Sequence, residues 1–150
     1  LAARQLGTVK WVLCASSAYL NAHGTPAEPH DLAQHDCLYL GETVDDNRWH
    51  FRRGTDTRIV EVKGRYIANH AGARLDAALQ DGGIASLPDF AAAEVLLRGG
   101  LVQVLADWVF EARVYRGPVG LLYPPNRFLP PKVRALIDYL AEHLRETLGE

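Results

Sequence analysis

The chain has 150 residues, 48% of them hydrophobic and 23% charged, with a net charge of −2. That supports one folded domain with its own core and excludes a disordered tail, while near-neutral, interspersed charge argues against this segment itself gripping nucleic acid. No apolar run approaches the roughly 20 residues of a membrane span, and no secretory signal opens the chain. Two cysteines are too few for a stapled secreted fold. The expected compartment is the cytoplasm, with Cys14 and Cys37 reduced and buried. Methionine is absent and the first residue is Leu1, which reads as a piece of a longer protein.

In chain order, Val9–Ala15 is a nearly continuous apolar run, the pattern of a strand covered on both faces. Ser16 and Ser17 supply a cap for a short helix Ala18–His23, which Gly24 and Pro26 end. Pro29–His35 reads as one or two helical turns and Cys37–Leu40 as a strand. Trp49–Arg53 and Arg58–Val62 alternate apolar with polar, predicting an antiparallel hairpin with one wet face. A strand Arg65–Ala68 leads to Asn69 as N-cap of a helix to about Asp81, which Gly82 and Gly83 stop. Ile84–Leu87 is a short buried strand, Pro88 and Asp89 open a helix to Arg98, and Leu101–Leu105 is a strand again. This alternation predicts βαβ crossovers and a parallel sheet, hence an α/β fold. After an irregular stretch, Ala106–Arg116, comes a last strand Gly117–Tyr123. The final helix carries Val133, Leu136, Ile137, Leu140, Leu144 and Leu148 at spacings of three and four, an amphipathic stripe.

Most chemical constellations fail on spacing or context. Cys14 lies mid-strand in an apolar run, where a thiol is inert, and Ser86 has no G-x-S-x-G elbow around it. His30, His35 and Cys37, with Asp31 and Asp36, are metal-ligand types without metal-site spacing. Gly82-Gly83 follows a helix and enters a strand, the reverse of a dinucleotide loop. One constellation survives. Asn69-His70-Ala71-Gly72 stands where a strand hands over to a helix N-terminus, whose free N–H groups favour an anion by about 0.3–1 kcal/mol. Ser16-Ser17 and Pro88-Asp89 occupy two other strand-to-helix turns, and in a parallel sheet all three converge on one rim. Helix capping uses the same residue types, so both readings stand at this level.

Leu6-Gly7, the run Val12-Leu13-Cys14-Ala15-Ser16-Ser17-Ala18-Tyr19-Leu20, Gly24-Thr25-Pro26 and His30-Asp31-Leu32 resemble the effector domain of LysR-type transcriptional regulators. Trp49-x-Phe51, Gly64-Arg65, Asn69, Gly83-Ile84-x-x-Leu87-Pro88-Asp89-Phe90 and Trp108 continue the likeness in order. Tyr123-Pro124-x-x-Arg127-x-Leu129-Pro130-Pro131 closes it. Ser17 departs from the usual Pro, and Ser86 from an aliphatic residue.

The resemblance implies a periplasmic-binding-protein-like (type 2) fold with one complete subdomain plus the C-terminal remnant of the other. By it, residues 1–8 end the first subdomain, 9–108 form the second, and 109–150 return to the first. It implies a ligand sensor rather than an enzyme, binding a small anionic or aromatic effector in an inter-subdomain cleft with no cofactor or metal. Ser16, Asn69, His70, Ala71, Gly72 and Pro88 would line the second-subdomain wall. The stripe of the final helix would normally pack on the first subdomain; without those partners Val133, Leu136, Ile137, Leu140 and Leu144 are expected to face solvent or a second copy, a self-association compatible with the family's homo-oligomers. DNA is reached only through a helix-turn-helix outside this chain. The competing reading is a small hydrolase or transferase using Cys14 or His70.

Overall fold

The computed structural model describes residues 1–113, 115–125 and 128–148, so Arg127 of the closing motif lies outside the described residues. Contacts divide the chain into two compact units: Trp11–Val114, and Leu1–Lys10 together with Tyr115–Glu150.

The larger unit is built on a four-stranded sheet. Its strands are β2 (Trp11–Ala15), β3 (Cys37–Leu38), β6 (Ile84–Pro88) and β7 (Val102–Val104), in the order β3-β6-β2-β7. Successive residues of β2 enter opposite cores, as a period of two requires. Leu13 and Ala15 join Tyr19, Leu32, Trp49 and Phe51 on one face, while Cys14 joins Ala78, Ala85, Leu87 and Ala92 on the other. The second face is covered by α2 (Ala71–Leu79) and α3 (Asp89–Leu97). The first is covered by α1 (Ser17–His23), a 3-10 turn Pro29–Gln34 and a three-stranded sheet.

That smaller sheet has the order β5-β4-β8, with β4 (Arg48–Arg53), β5 (Asp56–Glu61) and β8 (Val109–Glu111). The expected hairpin is present, turning at Gly54 with φ +62°. Alternation buries Trp49 and Phe51, and Phe110 of β8 packs its ring on both, at centroid distances of 5.3 and 5.4 Å. Pairing with β4 places Val109–Glu111 in the larger unit, whereas the sequence reading assigned this stretch to the returning segment.

The expectation of a wholly parallel sheet is corrected. Only β3 and β6 pair in parallel; β2 runs antiparallel to both β6 and β7. The β6–α3–β7 crossover exists, but β2 is inserted between its two strands and points the other way. A strand buried on both faces is apolar throughout in either direction, so its composition carries no polarity. The expected strand Arg65–Ala68 shrinks to a single bridge, Tyr39 to Ile67.

In the smaller unit β1 (Ala2–Val9) pairs antiparallel with β9 (Gly117–Tyr123), and α4 (Pro131–Leu148) packs on β1. The stripe on α4 is only partly free. Ile137, Ala141 and Leu148 are buried within the unit, Val133, Leu140 and Leu144 are half-buried, and Leu136 is 55% exposed.

Candidate functional site

Strand polarity decides which predicted residues meet. The antiparallel register pairs Trp11 with Pro88 and Cys14 with Ala85, so the start of β2 lies beside the end of β6. Ser16, following β2, is therefore at the opposite end of the sheet from Pro88, and the predicted convergence of three turns fails for this residue. Ser16 is instead the buried N-cap of α1. Its Oγ accepts from the Tyr19 N–H at 3.1 Å, and its hydroxyl donates to Asp81 Oδ1 at 2.6 Å.

The other predicted residues do share an end. Segment Ala68–Gly72 is drawn to the end of β6 by Arg74 of α2, whose Nε donates to the Ser86 carbonyl at 3.0 Å and whose Nη1 donates to the Ala68 carbonyl. The guanidinium thus occupies the gap left where β3 ends. The cap of α2 is His70 rather than Asn69: its Nδ1 accepts from the Ala73 N–H at 3.3 Å, which leaves the proton of the neutral ring on Nε2. Gly72 makes room for that ring, since a Cβ there would meet His70 Cε1 at 2.9 Å. Asn69 and His70 are exposed, Ala71 and Gly72 half-buried, and Pro88 buried.

A recess opens at the same end, floored by Trp11, Leu40, Trp49, Ser86 and Phe110. Its cavity volume is about 40 Å³. That admits a water molecule but is far below the roughly 300–1,000 Å³ of a small-molecule pocket. The acidic groups at its mouth are already engaged. Asp45 meets Arg113 at 3.2 Å and Glu111 meets Arg52 at 2.9 Å. Asp46 accepts from the backbone N–H groups of Glu42 and Thr43 and from the Thr43 hydroxyl. Burial pushes the Asp46 carboxyl up, but those hydrogen bonds outweigh it and hold its pKa below the usual carboxylate value. The sequence reading missed Trp11, Arg74 and this acidic loop. The available signal is Arg74 itself, a cation four residues before Ala78 and so on the same buried face of α2.

Nucleophilic chemistry finds no support in the geometry. Cys14 is fully buried, and burial pushes its thiol up to about 12, so the thiolate is scarce at neutral pH. His70 is committed to its helix cap. The metal-type residues are likewise dispersed: His30 pairs with Asp31 at 3.2 Å, His35 Nδ1 meets the Tyr19 hydroxyl at 3.0 Å, and Cys37 faces the Leu32 carbonyl. Among the described residues no three such groups are arranged to hold a metal ion, and no helix is long and apolar enough to cross a membrane.

Comparison with known proteins gives this architecture a family. The model of the LysR substrate binding domain matches residues 1–145. The chain is 48% identical over 139 residues to the probable HTH-type transcriptional regulator LtrA of Klebsiella pneumoniae, covering 93% of this chain and 45% of that protein. It is 35% identical over 146 residues to the HTH-type transcriptional regulator PtxR of Pseudomonas aeruginosa, covering 96% and 45%. Among solved structures, the full-length Vibrio cholerae virulence activator AphB, a member of the LTTR protein family, superposes with a TM-score of 0.79 at 32% identity, covering 95% of this chain and 48% of that one. The LysR-type regulator CrgA of Neisseria meningitidis gives 0.79 at 26% identity, covering 96% and 48%. These relatives are named as regulators of transcription, not as enzymes, and the chain spans about half the length of the curated relatives it matches. With a match over nearly its whole length and the mixed α/β architecture described above, the chain belongs to the LysR substrate-binding domain family.

Proposed function

We propose that this chain is the effector-sensing part of a LysR-type transcriptional regulator, and that its larger unit corresponds to the family's second subdomain. In this reading the smaller unit belongs to the first subdomain, and DNA is bound by a helix-turn-helix in the rest of the regulator, acting in the cytoplasm. The observation that carries the proposal is the end of the sheet shared by Pro88 and the start of α2. Asn69 and His70 are exposed there beside half-buried Ala71 and Gly72, a place where free backbone donors and a helix dipole favour a small anion. Asn69 orients the effector, the Ala71 and Gly72 amides receive its charge, and His70, through its free Nε2 edge, adds a donor. Ser16 has no part in it. The effector acts by binding one arrangement of the regulator more tightly than another, since equal affinity for both shifts nothing.

Aromatic and aliphatic carboxylic acids titrated calorimetrically into this chain and into the regulator that carries it test the reading. Weak binding here and tight binding by the whole regulator is the expected result. Absence of carboxylate binding by either, or binding that survives loss of both Asn69 and His70, overturns it.

The partly free stripe of α4 supports a second proposal, homo-oligomerisation. Leu136 is exposed, with half-buried Val133, Leu140 and Leu144 beside it, and a second copy of the chain would cover them. Ile137, buried inside its own unit, is not available for that contact.

A further inference from the structure

Arg74 is 1% exposed, which makes it the largest fully buried side chain in the protein. A buried cation ordinarily brings a carboxylate with it, because desolvation is repaid only by a close counter-charge and hydrogen bonds. Surface arginines of this chain, which water would solvate in any case, have one: Arg52 holds Glu111, Arg53 holds Asp107, Arg98 holds Glu94 and Arg113 holds Asp45. Arg74 has none within ion-pair distance among the described residues. It holds two backbone carbonyls, Ser86 and Ala68, and its Cζ lies 5.8 Å from the ring of Trp11. Glu42 acts on it only from farther away.

If joining two strand ends were the whole task, a neutral amide donor would serve without the cost of a buried charge. The nearby carboxylates are also committed elsewhere, Asp45 to Arg113 and Asp46 to the Glu42–Thr43 backbone. A full positive charge therefore sits in a low-dielectric layer beneath the turn that opens α2, with only the more distant Glu42 opposing it and no carboxylate in ion-pair contact among the described residues. In such a layer a charge acts over several ångströms with far less screening than in water.

We propose that Arg74 is the specificity-determining residue of the effector site: its buried guanidinium, fixed between the Ser86 and Ala68 carbonyls, selects a carboxylate over a neutral ligand of the same shape. The inference rests on the effector-site reading of this rim and adds the source of its charge preference. Arg74 positions and attracts from beneath; the ligand itself meets the Asn69–Gly72 turn.

Benzoate and benzamide are a suitable pair, alike in shape and different in charge. Titrated into the 150-residue chain at constant ionic strength, with backbone amide shifts as the readout, benzoate is expected to bind about tenfold more tightly, the buried charge adding to what the helix N-terminus supplies. Arg74→Met is expected to bring that ratio down to the about two- to fivefold of the helix terminus alone, and Arg74→Lys to retain most of the original ratio, which a purely structural role would not do. The Arg74 Nε–H resonance of the unmodified chain gives a readout that needs no variant: it shifts with benzoate and stays with benzamide. A benzoate preference that survives undiminished in Arg74→Met, or an Nε–H signal unmoved by bound benzoate, overturns the role of Arg74 and leaves the effector site standing. Binding of neither probe at the Asn69–Gly72 turn of this chain overturns the role of Arg74, and the effector-site reading falls with it when the whole regulator also binds no carboxylate.

Discussion

His35 carries the clearest pH dependence of any single residue. It is 6% exposed, and its Nδ1 lies 3.0 Å from the hydroxyl of Tyr19, which itself accepts the Asp36 N–H at 3.0 Å. Burial lowers the pKa of His35 below 6.5, and the nearby His23 adds to the effect against the opposing fields of Asp31 and Asp36. The folded form thus binds the proton less readily than the unfolded chain. The resulting stabilisation is fully present above pH 6.5 and is lost as pH falls below that value through the lower folded pKa. Urea midpoints measured from pH 7.5 to 5 should decline, and His35→Gln should flatten part of that decline. The thiols behave analogously: burial pushes both Cys14 and Cys37 up to about 12. Neither should react with iodoacetamide at pH 7.5 until denaturant is added, a difference readable by mass spectrometry.

Ser16 separates capping from binding at the scale of elements. Its Oγ caps α1 and its hydroxyl holds Asp81, which sits at the unusual φ of +61° before the Gly82–Gly83 turn into β6. Ser16→Ala should cost about 0.5–2 kcal/mol for the cap alone, measured by chemical denaturation, and leave carboxylate binding at the far end unchanged. Loss of that binding in a folded Ser16→Ala chain would contradict the placement. The same residue shows what was legible in sequence. The strands β2, β6, β7 and β9, the α1 cap, the β4–β5 hairpin and the β6–α3–β7 crossover follow from local pattern, because apolar period and turn chemistry are local, whereas the expected strand Arg65–Ala68 is absent and β8 forms in a stretch expected to be irregular. The direction of β2 relative to β6 is not local, and on it depended whether Ser16 and Pro88 shared a rim. His70 displaces Asn69 as the cap for a different, local reason: the imidazole reaches the Ala73 N–H because Gly72 leaves it space, a fit between sequence neighbours that single-residue cap preference does not express. Arg74 was read past because the helix periodicity around it counts apolar positions and treats a cation among them as noise.

For the molecule as a whole, neighbouring positions of α4, which lies in the smaller unit, differ sharply in exposure. Ile137 is 5% exposed and anchors the helix on β1, whereas Leu136, the neighbouring residue, is 55% exposed, and Tyr139 one turn on is 56% exposed. Consecutive positions on a helix point about 100° apart, so one face can stabilise the unit while the next serves assembly. Substitutions at the two positions should therefore part company. Ile137→Ala should cost about 2 kcal/mol or more through cavity formation and lower the thermal midpoint at every protein concentration. Leu136→Glu should leave the midpoint of dilute chain nearly unchanged, since the site is solvated there, but reduce any concentration-dependent rise in sedimentation coefficient. Sedimentation of the unmodified chain at increasing concentration is the reference. A strictly monomeric profile, or an association that Leu136→Glu leaves intact, removes α4 from the proposed oligomer contact and shifts attention to other exposed apolar positions such as Phe90 and Leu97 on α3.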